Sequence, residues 1–194
     1  KESQTLVNSV GEFPIGIKKF VLKADPTELK KELQAQINKI KSLGIKPTHI
    51  DSHEGALFFN KEHFRVYLEV GEKNKLPVFV PRGVDAHFGK GFPKPKNVVV
   101  IKDLYMARKG LKKTKWKEFY LNTIRGLKPG ISQLIVHLSY DDNEMREISI
   151  DHPDYGAKWR HLDYEAVNNI SFKKALKQND IKLVTWKEIQ KVLY

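Results

Sequence analysis

The residues best suited to chemistry lie in Pro47-Thr48-His49-Ile50-Asp51-Ser52-His53-Glu54-Gly55. If this segment is extended, successive side chains alternate between faces, so His49, Asp51 and His53 share one. Neutral imidazole is a good ligand for zinc and similar divalent ions, and a carboxylate can add charge or orient a histidine. The competing reading is a histidine held for structure at a strand end. A second block, Gln133-Leu134-Ile135-Val136-His137, is an apolar strand ending in histidine. By itself, His137 reads as a hydrogen-bonded strand terminus. Paired with His53, it makes two strand-end histidines that, with a carboxylate, supply three protein ligands and leave a position for water. That is a catalytic rather than a closed metal site. A third segment, His152 to His161, carries Tyr155, Gly156, Trp159 and Arg160. Arg160 could orient a carboxylate, and Tyr155 and Trp159 could pack on a sugar face. Alternatively, the segment is a surface loop with Trp159 tucked into the core. His63 reads as a helix-surface residue and His87 as a loop residue.

The elements that position these residues alternate between strand and helix. Asp25-Pro26-Thr27-Glu28 reads as a helix start, with Asp as N-cap and Pro at the first helical position. Leu29, Leu33, Ile37, Ile40 and Leu43 follow at helical spacing, and Gly44 stops the run. A second helix starts near Asn60 and turns Phe64, Tyr67, Leu68 and Val70 inward. Thr114 can cap a third, bearing Trp116, Phe119, Tyr120 and Ile124 and ending near Gly126. Phe172, Ala175 and Leu176 mark a fourth, and Thr185 with Glu188 forms a capping box for the last. Strand signals fall at 13–17, 46–50, 77–80, 98–101, 131–137 and 181–184. Six strands alternating with helices predict a parallel α/β domain, whose chemistry sits at the carboxyl ends of its strands. A closed barrel of seven or eight strands needs at least one more, most naturally before Lys1.

Composition narrows the class. The chain has 194 residues, 40% hydrophobic and 30% charged, which fits one globular domain. It contains no cysteine, so disulfides, thiolate metal sites and cysteine nucleophiles are excluded. No apolar run is long enough to span a membrane. The net charge of +12 invites a polyanion reading, yet 29 of the 35 basic residues are lysine and they are dispersed. Base readout and bidentate phosphate binding favour arginine, so a solvated basic surface is the better reading. The sequence lacks G-x-S-x-G, P-loop, G-x-G-x-x-G and H-E-x-x-H motifs.

The histidine blocks carry a resemblance. Thr48-His49-Ile50-Asp51-Ser52-His53 resembles the T-H-x-D-S-H block of the YdjC-like carbohydrate deacetylases, the family of chitooligosaccharide deacetylase. Gly55-Ala56-Leu57-Phe58 continues it. Pro129-Gly130-Ile131 through His137 resembles the block leading to that family's second histidine. Gly156 to Arg160, Ile181 to Trp186, Phe13 to Ile17 and Glu32 to Ile37 extend the likeness over nearly the whole chain. The resemblance implies a TIM-like (β/α)7 barrel formed by one domain over 1–194. It implies metal-dependent removal of N-acetyl groups from amino sugars or oligosaccharides, with a divalent ion such as Zn²⁺ held by His53 and His137. Asp51 is then the neighbouring carboxylate, orienting His49 or a ligand, Arg160 fixes a carboxylate, and Tyr155 and Trp159 contact the sugar. The family's opening strand carries Asp-Asp-x-Gly, source of a third ligand and a candidate base. No such motif occurs in 1–194, where Asp141-Asp142 leads into Asn143-Glu144; the expectation is that it lies upstream of Lys1. Ile17 is followed by Lys18-Lys19 where the family usually has His-Leu. Two alternatives follow from these departures and the charge: a catalytically inactive carbohydrate-binding barrel, and a polyanion-binding protein.

Overall fold

The computed structural model describes residues 4–14, 16–83, 98–152 and 154–194. His87 and the Gly/Pro-rich stretch around it lie outside the described residues. The chain divides into two units, residues 1–100 with 184–194, and residues 101–183.

The first unit is built on helices α1 (Ile17–Lys23), α2 (Pro26–Ser42) and α3 (Lys61–Asn74). Strand β1 (Phe79–Pro81) and the start of β2 (Val99–Ile101) accompany them, and helix α8 (Trp186–Leu193) closes the chain. Side-chain caps set three of these helix starts. Asp25 accepts from the Thr27 and Glu28 amides, and Asn60 from those of Glu62 and His63. Thr185 and Glu188 form the reciprocal capping box expected from their spacing. The core gathers Leu29 and Ile37 of α2, Phe64, Val66, Tyr67 and Val70 of α3, and Leu57, Leu76, Val78 and Val80. Ile40 and Leu43, at the same helical spacing, are instead exposed, because α2 outruns the core it covers.

The second unit holds strand β3 (Asp103–Met106), α4 (Trp116–Gly126), β4 (Ser132–Ile135), α5 (Asn143–Ile148), α6 (Ala157–Asn168) and α7 (Ile170–Gln178). Strands β3 and β4 pair in parallel, Asp103 opposite Ser132 through Met106 opposite Ile135. Their connection carries α4, as a parallel crossover requires. Trp116, Tyr120 and Ile124 of α4 pack with Ala166, Phe172 and Ala175.

The parallel α/β class is as expected, but the described strands do not close a barrel: they form two two-stranded sheets. The 46–50 segment contributes one parallel bridge, Ile50 to Val78. The 181–184 segment lies outside any strand, and the described part of 13–17 leads into α1. β-propensity marks a residue able to pleat; a strand needs a neighbour's ladder as well. Thr114 sits inside a short 3-10 turn, Lys113–Lys115, and Lys115 precedes α4 without a side-chain cap. His63 is not on a helix surface: it is buried, with Nε2 2.8 Å from the Ala24 carbonyl oxygen. The 63-67-70 stripe of α3 faces inward, and His63 belongs to it.

Candidate active site

In the first unit the histidine block lies where the 46–50 segment ends. The Tyr67 hydroxyl ties this segment to β1, donating to the Ile50 carbonyl at 2.8 Å and accepting from the Phe79 amide at 3.1 Å. Burial, then the charge of Asp51, pushes the Tyr67 phenol well above its ordinary value. Asp51 Oδ1 accepts from the Ser52 amide at 2.7 Å, and buried Ser52 Oγ accepts from the Leu57 amide at 3.0 Å. A 3-10 turn, His53–Phe58, follows directly. Its second and third residues, Glu54 (φ 53°) and Gly55 (φ 69°), are left-handed. That conformation costs a non-glycine residue about 1–2 kcal/mol, so the turn after His53 is held under strain by its surroundings.

The turn breaks the alternation on which a shared face depended. His49 and Asp51 line a cavity of about 190 Å³, with Leu33, Ile37, Ile50 and Tyr67 among its other walls. His53, beginning the turn, is exposed and is not part of that lining. His49 stacks on Trp186, ring centroids 4.7 Å apart and planes 3° from parallel. Burial holds its imidazole below the ordinary histidine pKa, against the opposing pull of Asp51. His49 is thus a packed, largely neutral ring, and His53 is the accessible histidine of the block.

In the second unit His137 lies two residues beyond β4. Its amide donates to Asp163 Oδ2 at 2.9 Å. Asp163, on α6, is 1% exposed, and its Oδ1 accepts from Trp116 Nε1 at 2.8 Å and from the Tyr120 hydroxyl at 2.5 Å. Burial, and then its bond to Asp163, keeps the Tyr120 phenol protonated far above its usual range. The His137 ring lies 5.1 Å from that of Tyr155, and Tyr155 lies 4.4 Å from Trp159. Trp159 meets Trp116 edge-on at 4.8 Å. Tyr155 is left-handed (φ 67°), and Arg160 Nε donates to its carbonyl at 2.7 Å.

His137, Tyr155, Trp159 and Arg160 are therefore brought together. The Arg160 bond seen here goes to a main-chain oxygen, and Trp159 is half-buried against the core. Sequence reasoning missed Asp163. Its signal was positional: Trp159, Asp163 and Ala166 recur at i, i+4 and i+7, so the carboxylate sits on the inward stripe of α6. Among the described residues, no three His, Asp or Glu side chains gather as a metal cage.

The parallel β3–β4 pair, joined through α4, defines a parallel α/β protein. Residues 1–178 match the YdjC-like protein family, and the chain belongs to it. It is 28% identical over its full length to a carbohydrate deacetylase of Thermus thermophilus, covering 71% of that protein. It is 27% identical over 94% of its length to one of Thermoanaerobacter pseudethanolicus, covering 68% of it. A cellobiose-phosphate cleavage protein of Enterococcus faecalis shares the fold, with TM-score 0.75 over 97% of this chain and 70% of its own, at 20% identity.

Proposed function

We propose that this chain is a metal-dependent carbohydrate deacetylase, hydrolysing the N-acetyl group of an amino sugar or oligosaccharide to acetate and the free amine. The observation carrying this reading is the pair of histidine blocks at 48–53 and 131–137, in a chain whose relatives are named carbohydrate deacetylases. Further parts of the proposal are a single YdjC-like domain over 1–194 and a (β/α)7 barrel, supported by the solved neighbour's fold.

His53 and His137 are the proposed donors to a divalent ion, Zn²⁺ by the chemistry of imidazole. The exposed His53 ring suits this, and the main chain of His137 is held by Asp163. Together they are two of the three protein donors a catalytic zinc takes. When bound, the ion supplies Lewis acidity to the acetamide carbonyl and its attacking water. Asp51 adds negative charge next to the block while its own hydrogen bond steadies the turn into His53. Tyr155 presents a ring beside His137 for the sugar to pack on, backed by Trp159. Arg160 holds Tyr155 in its left-handed conformation through the carbonyl, and a guanidinium has further N–H groups with which to orient a carboxylate.

Acetate release from an N-acetylated chito-oligosaccharide, with Zn²⁺ supplied, tests the reading. His53→Ala and His137→Ala should each abolish turnover while the protein stays folded. Sugar binding without acetate release by the unmutated chain would make it an inactive carbohydrate-binding protein.

A further inference from the structure

A buried carboxylate needs a reason, because desolvating it is costly unless its oxygens are matched by donors. Asp163 has three: Trp116 Nε1 and the Tyr120 hydroxyl on Oδ1, and the His137 amide on Oδ2. The first two come from α4, in the core, and fix the carboxylate's place and rotation. The third lies just past β4, where the chain has left the β3–β4 ladder at Ile135. We infer that Asp163 is the positioning residue of His137, transmitting the rigidity of the α4–α6 core to the strand-end histidine through one main-chain hydrogen bond. The anchor acts through oxygen Oδ2 alone, while Oδ1 is committed to α4. Its value to function rests on the deacetylase reading, which gives His137 a task; the anchor itself does not.

Asparagine separates the two oxygens. In Asp163→Asn the remaining oxygen satisfies Trp116 and Tyr120 best at the Oδ1 position, because two donors need it there. The amide NH₂ then faces the His137 N–H, donor against donor. Amide hydrogen exchange and steady-state acetate release are measured on the full chain, with Ile124→Ala as a control that loosens the same core without touching the carboxylate. Asp163→Asn should speed exchange of the His137 amide at least about tenfold and lower kcat about tenfold, with KM within about twofold. Hydrogen bonds to charged groups are worth enough for changes of that size. Ile124→Ala should lower thermal stability while leaving both quantities within about twofold. Unchanged His137 exchange in Asp163→Asn overturns the inference. So does faster exchange with unchanged kcat, or equal effects in the control. If Asp163→Asn fails to fold, the scalar coupling across the hydrogen bond, from the His137 amide nitrogen to the Asp163 carboxylate carbon, is sought in the unmutated protein, and its absence is equally fatal. Should His137→Ala leave acetate release intact, the deacetylase role of His137 fails, and the exchange measurement alone still decides the anchor.

Discussion

Removing one oxygen atom probes how the first histidine block is held. In Tyr67→Phe the hydroxyl that donates to the Ile50 carbonyl and accepts from the Phe79 amide is lost, while the buried ring stays. Two main-chain groups lose their partner together. The Phe79 amide is buried, so its orphaning costs the full penalty, about 1–3 kcal/mol. Ile50 is half-buried and water can replace part of its bond, for about 1 kcal/mol or less. The sum is about 1–4 kcal/mol, or roughly 2–16 °C in Tm at about 2–4 °C per kcal/mol for a chain of this size. Urea unfolding monitored by tryptophan fluorescence reads it as a lower midpoint with an unchanged slope. Because the same bonds steady the chain leading to His53, turnover should fall as well. A loss below about 0.5 kcal/mol would show that the hydroxyl does not bridge the two segments.

Gly71 on α3 has no room for a methyl group: a Cβ there would lie 2.3 Å from Val78 Cγ1 and 3.0 Å from the Leu76 carbonyl oxygen. Gly71→Ala should therefore destabilise by about 1–2 kcal/mol, despite alanine's better helix propensity, and calorimetry checks it. His49, held below the ordinary histidine pKa by burial, binds fewer protons folded than unfolded. Its contribution to stability is complete above about pH 6.5 and is lost as the pH falls toward the folded-state value. Unfolding midpoints from pH 7.5 to 5 should decline, less steeply in His49→Gln, and NMR titration should place His49 below the ordinary histidine value. Thr185→Ala breaks the capping box of α8 and should cost about 1 kcal/mol in urea unfolding.

Local rules made much of the molecule legible. Asp25 with Pro26, Asn60, and Thr185 with Glu188 each start a helix where their types and spacing put one, because a cap is a contact within one turn. The apolar spacing in α3 and α4 likewise identified Phe64, Tyr67, Trp116 and Tyr120 as core. What escaped depends on partners far along the chain. Ile181 to Val184 has strand composition but no strand in the structure, whereas Asp103–Met106, without an obvious apolar run, pairs along its length with β4. The strand pattern through His49 and Asp51 did not extend to His53, because His53 is already the first residue of the 3-10 turn. His63 reads as a helix-surface residue by type and Asp163 draws no notice, yet each is buried because its helix places it on an inward stripe with a hydrogen-bond partner waiting. Arg160 invited a carboxylate partner by charge, and in the structure its Nε bonds the Tyr155 carbonyl, a main-chain contact that residue type alone does not announce.

Elemental analysis of the full chain, run beside the His53→Ala/His137→Ala double variant and paired with acetate release from the same preparations, bears most directly on the proposed chemistry. The account predicts about one divalent metal ion per chain and turnover of the N-acetylated oligosaccharide, both lost in the double variant. Metal content and acetate release that survive removal of both histidines would contradict it.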